Sequence, residues 1–148
     1  MSPADDDIPA FGAPPSIEDL IVLAEEGFER VPARLRAMVR GVAIQVVDFP
    51  DDETLDEMEI ESPYDLLGLY TGTPFGQKTL AVATRPDMIF LYRRPILDYW
   101  CDTGEDLGHV VRHVLIHEIG HHFGFSDADM EALEQEADEG EAEEGEGR

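Results

Sequence analysis

The chain has 148 residues and a formal net charge of −24, from 34 acidic against 10 basic side chains. That length supports one domain with a real core, and that charge argues against nucleic acid or an anionic membrane as partner, since both call for clustered Lys and Arg. No apolar run approaches the roughly 20 residues that span a bilayer, the first residues lack the basic-then-apolar order of a secretory signal, and the lone Cys101 has no internal disulfide partner, so the expectation is a cytoplasmic protein, taken as a monomer.

Residues 1–15, rich in Pro, Ala and Asp, read as a flexible leader. Ser16 with Asp19 then opens a helix whose apolar stripe is Ile17, Leu20, Ile21, Ala24 and Phe28. Pro32 fits the first turn of a second, short helix carrying Leu35, Met38 and Val39, with Gly41 as its stop. A strand rich in branched residues follows from Val42 to Asp48 and ends at Pro50. The acidic stretch Asp51 to Glu61 has no core-forming period and reads as a surface loop. Three short strands are predicted at Leu66 to Thr71, Thr79 to Ala83 and Met88 to Tyr92, separated by the turn signals Gly72-Thr73-Pro74 and Arg85-Pro86. Ile96 to Cys101 reads as a short helix, with Cys101 in the aromatic setting of Tyr99 and Trp100, which suggests packing rather than reactivity. A capping box of Thr103 and Asp106 predicts a buried helix from about Gly104 to Phe123, and a weakly packed helix is expected from Asp129 to Ala137. The Gly/Glu run within 138–148 has the composition of a solvated, disordered tail. The domain proper is thus expected over 16–137.

Within the buried helix, His117-Glu118-Ile119-Gly120-His121-His122-Phe123-Gly124-Phe125-Ser126-Asp127 reads HExxHxxGxxD. Histidines four residues apart share one helix face, so His117 and His121 can reach a single metal ion. Glu118 is swung by roughly 100 degrees from His117, placed to hold a water rather than to act as a third ligand. Gly124 can take the left-handed conformation that reverses the chain and brings Asp127 back as an oxygen ligand. Three protein ligands leave one zinc position open, which separates a catalytic site from a structural one. The alternative for Asp127 is helix capping with Ser126, and Asp129, Glu131 and Glu134 are less well spaced as ligands. His109 and His113 extend the four-residue row, His113 being an ordinary histidine or an outer partner of the site.

Leu66-Leu67-Gly68-Leu69-Tyr70, then Ile89 to Ile96, then Val114 to Gly124 together resemble the small bacterial zincin-like metallopeptidases, over roughly residues 16 to 137. The resemblance implies an α+β, minimal zincin-like fold: a small mixed β-sheet packed against N-terminal helices and a central HExxH helix. It also implies a zinc peptidase activity, without a substrate. The motif is similar to that of the metzincins too, with Asp127 in place of their third histidine; Met130 lies too close to Asp127 to serve as their separate methionine turn. A deformylase-like cysteine ligand is not supported by the residues around Cys101.

On this reading Zn²⁺ held by His117, His121 and Asp127 polarises the scissile carbonyl and acidifies a water whose proton Glu118 takes as general base. Tyr92, Tyr99, His122 and Arg94 are the candidates for stabilising the oxyanion. A peptide or flexible protein segment is the expected substrate, aligned on an edge presented by the strand that ends at Tyr92. Two other classes stay open. A bacterial endoribonuclease family also places metal ligands at HxxxHxxxxxH spacing, though Glu118 and the negative charge argue against RNA. The third is a noncatalytic module binding zinc or a protein partner.

Overall fold

The computed structural model describes residues 12–39, 41–72 and 87–146, with side chains described up to Glu139. The predicted strand Thr79 to Ala83 and the turn signals flanking it, apart from Gly72, lie outside the described residues, as do residues 1–11 of the leader.

Helix α1 (Ile17–Arg30) starts at the expected capping box, Ser16 Oγ accepting from the Asp19 N–H at 3.1 Å and the Asp19 carboxylate accepting from the Ser16 N–H at 2.9 Å. Leu20 and Ala24 of its stripe are fully buried, whereas Ile21 stays exposed. Pro32 caps α2 (Ala33–Arg36) from outside, and Leu35 fills the core. Strand β1 (Ala43–Val47) follows. The acidic stretch is not all loop: Asp51 accepts from the Thr54 N–H at 2.8 Å and opens α3 (Asp52–Glu57). A helix this short needs one buried side chain, Leu55, so it leaves no apolar period in the sequence.

A single 3₁₀ turn (Pro63–Asp65) leads into β2 (Gly68–Thr71), and after the undescribed segment comes β3 (Met88–Tyr92). The described sheet has the order β1-β3-β2, with β1 parallel to β3 (Val46 opposite Leu91) and β2 antiparallel to it (Tyr70 opposite Ile89). The strand ending at Tyr92 is therefore the centre of the sheet, not an edge: Ile89 and Leu91 are fully buried, as a central strand requires.

Helix α4 (Arg93–Thr103) leaves β3 without a loop and ends at Gly104, whose φ of 72° closes it in the left-handed conformation. This moves the start of the next helix. Thr103 is not its cap; Asp106 is, accepting from the His109 N–H at 3.1 Å at the head of α5 (Leu107–His122). Cys101 is exposed rather than packed.

Helix α5 is buried nearly all round, through Val110, Val111, Arg112, Val114, Leu115, Ile116, Ile119 and Gly120, as befits a helix at the middle of a domain. It packs on α1 near Gly27, on β2, and on the last helix, α6 (Asp127–Glu146). Helix α6 is longer and better packed than a weak Asp129 to Ala137 element: Met130, Leu133 and Ala137 are buried, and the helical backbone runs on into the Gly/Glu run, whose Glu and Ala residues favour helix. No described helix is long and apolar enough to cross a membrane. The architecture is α+β, a small mixed sheet with helices around a central α5, consistent with a minimal zincin-like fold.

Candidate metal centre

Five polar side chains of α5 lie in two sets. His113, His117 and His121 form one row, each step advancing about 40 degrees around the axis, and Glu118 and His122 form another, facing β2.

The chain brings a carboxylate to the histidine row by turning back on itself. Phe125 N–H bonds to the Gly120 carbonyl at 2.9 Å and Gly124 N–H to the His121 carbonyl at 3.2 Å, with Gly124 at φ 78°, the paired bonds of a Schellman stop. Ser126 and Asp129 then cap α6 reciprocally, at 3.1 and 3.2 Å. Helix α6 crosses α5 where Gly120 has no side chain: a Cβ there would lie 2.6 Å from Met130 Sδ. One turn beyond Met130 along α6, the Glu134 carboxylate meets both histidines, bonding His113 Nδ1 through Oε1 and His117 Nε2 through Oε2 at 2.9 Å. The two rings lie 4.1 Å apart. Burial works to raise the Glu134 carboxyl, but its bonds to His113 and then His117 hold it below the ordinary range. The same bond to Glu134 raises His113 against the opposing effect of burial.

Glu118 points the other way. Burial pushes its carboxyl up to about 7, outweighing the opposing influence of the Tyr70 backbone on β2. Gly68 makes room for it: a Cβ at Gly68 would come within 2.7 Å of Val114 and 3.3 Å of Glu118 Cγ. The Tyr70 ring stacks on His122, centroids 3.9 Å apart, and its hydroxyl donates to Asp87 at 2.6 Å.

The predicted site residues are distributed as follows. The His117 and His121 rings are 5.9 Å apart at 63 degrees, with His121 exposed. Asp127 is the exposed first residue of α6, and the cap beside it is made by Ser126 and Asp129. Tyr92 is buried, its phenol pushed up to about 12 by burial and by Asp51 and Glu118. Tyr99 is half-buried on α4 and is raised by burial, Glu105 and Glu134. Arg94 lies over the Phe49 ring at 5.4 Å, and His122 is taken up by Tyr70. Among the described residues, the one group whose ligand atoms all come within 4.8 Å is His113, His117 and Glu134; His117, His121 and Asp127 do not close to that distance. Glu134 and His113 carried no local signal beyond spacing, and Gly68 and Tyr70 approach α5 only through the tertiary fold.

Imidazole nitrogens on one face of α5 and a carboxylate oxygen from α6 are donors that zinc prefers, at bonds of about 2.0 to 2.2 Å. The chemistry of this donor set therefore fits a zinc ion. No curated protein matches the chain. A family profile does: residues 39–137, which include both strands flanking the undescribed segment and the whole of α5, match that of the zincin-like metallopeptidases. With two thirds of its length matched and the HExxH turn standing at the heart of its core, the chain belongs to the zincin-like metallopeptidase family.

Proposed function

We propose that the protein is a zinc-dependent peptidase in which His117, His121 and Asp127 hold the metal and Glu118 is the general base. The observation that carries this reading is the placement of Glu118, wedged between the HExxH turn and β2, beside the Tyr70 backbone and with Gly68 clearing its path. A group that must take a proton and give it back works best with a pKa near the operating pH, and burial brings Glu118 to about 7.

When bound, zinc polarises the scissile carbonyl and acidifies the attacking water. Glu118 accepts the proton that the water loses as its oxygen bonds to the carbonyl carbon. It then donates that proton to the amide nitrogen as the C–N bond breaks, returning to a carboxylate. Of the four candidates for oxyanion support, Tyr92 and Tyr99 lie within the fields of Glu118 and Glu134 respectively, and both keep their phenolic protons at neutral pH. Tyr99 is the more accessible of the two. Among the described residues β2 lies at an edge of the sheet, beside Glu118, and such an edge suits pairing with an extended peptide or flexible protein segment as substrate.

Purified protein should carry zinc and cleave an unstructured peptide pool. Glu118→Gln should retain the metal while turnover falls by at least about 100-fold, the usual contribution of a general base. Peptide cleavage that survives Glu118→Gln would sink the mechanism, and degradation of RNA in place of peptides would sink the activity.

A further inference from the structure

His117 belongs to two pairs at once. With His121 it makes the HExxH pair; with His113, one turn earlier, it makes a second pair of the same spacing, and only this second pair has a carboxylate already docked between its nitrogens. We infer that α5 carries a second, overlapping site for a divalent cation, formed by His113 Nδ1, His117 Nε2 and the Glu134 carboxylate, which competes with the HExxH pair for the shared imidazole.

The geometry supports a site rather than a chance ion pair. The three donor groups lie within 4.8 Å of one another, and a cation bound at about 2.0 to 2.2 Å needs its donors roughly 3.3 Å apart, so small side-chain movements suffice. The helices that carry them are fixed by buried contacts at Gly120, Met130 and Leu133, and Glu134 adjoins the last of these. His117 Nε2 has a single lone pair to give. A cation in the upper site therefore removes His117 from the lower one. It also sits farther from the general base: on a helix of about 100 degrees per residue, Glu118 is about 60 degrees around from His121 but about 140 degrees from His113. A cation held by His113, His117 and Glu134 is bound out of reach of Glu118, and occupancy of the two sites sets how much of the protein is active. The site itself stands on its own residues; the competition rests on the peptidase reading.

The test is titration of the full-length protein with Co²⁺, read by its visible absorption and by chelator competition. Wild type should bind one ion per chain. His121→Ala, which disables only the lower site, should still bind one ion. Adding either Glu134→Gln or His113→Ala to it should weaken that binding by about 10- to 100-fold or more, two independent substitutions so that a folding defect in one does not decide the matter. In the wild-type background, His113→Ala should raise turnover per bound zinc. The inference is overturned if His121→Ala abolishes binding, if the added substitutions leave its affinity unchanged, or if wild type binds two ions. If instead His121→Ala binds Co²⁺ as tightly as wild type and wild type cleaves no peptide, the upper site stands and the peptidase reading fails.

Discussion

Glu118 is the side chain at which stability and the proposed function pull in opposite directions. Its carboxyl is raised from 4.5 to about 7 because burial disfavours the charged form by more than the Tyr70 backbone favours it. Below pH 4.5 the group is protonated in folded and unfolded chains alike and exacts no penalty. Between pH 4.5 and 7 the unfolded chain ionises first, so the contribution of this group to stability falls as pH rises, and above 7 the loss is complete. A displacement of this size corresponds to at most about 3 kcal/mol. Metal-free Glu118→Gln should therefore be more stable than metal-free wild type at pH 8, with the difference shrinking as pH falls towards 4.5. Urea denaturation of both proteins in a chelator, across that range, measures it. A stability difference that does not change with pH would show that Glu118 is not held in a desolvated place.

The crossing of α5 and α6 decides whether the site assembles, and it turns on one missing side chain. Gly120→Ala gains about 1 kcal/mol of helix propensity, but its Cβ would meet Met130 Cγ and Sδ at 2.7 and 2.6 Å in a fully buried position. Overpacking of that kind costs about 1 to 3 kcal/mol and should win. In a double-mutant cycle, Met130→Ala should relieve part of the penalty, so that the two substitutions together cost less than their sum; strict additivity in thermal or urea unfolding would refute the crossing. Local chemistry separates the elements legible in the sequence from those that were not. The capping box of Ser16 and Asp19, the β-branched strand before Pro50 and the HExxH helix declare themselves through near neighbours. The helix at Asp51 was hidden because it buries only Leu55. That β3 is central and β2 lies beside Glu118 depends on pairing between strands far apart in sequence. The meeting of Glu134 with His113 and His117 depends on the reversal at Gly124 and on the depth at which Met130 seats α6, neither of which has a local pattern.

At the scale of the whole molecule, charge is the dominant unbalanced force. With 34 acidic and 10 basic side chains, a net charge of −24 repels itself in the compact state more than in the expanded one. Salt acts on this in two directions. It weakens favourable pairs such as Arg34 with Glu136 at 2.9 Å, but exposed pairs of this kind contribute only about 0 to 1 kcal/mol each. It also screens repulsion among the many unpaired carboxylates, over a Debye length that falls from about 30 Å at 0.01 M to about 3 Å at 1 M. With acidic groups outnumbering basic ones by more than three to one, the second effect is the larger. The Tm of the metal-free protein should therefore rise steadily as NaCl is increased from 0.01 to 0.5 M in the presence of a chelator. The chelator matters, because a trace divalent ion at the histidine row would also raise Tm, but would do so in a saturating manner at micromolar concentration. A Tm that stays flat or falls with NaCl would mean that the few ion pairs, rather than the excess of carboxylates, govern the electrostatics of the fold.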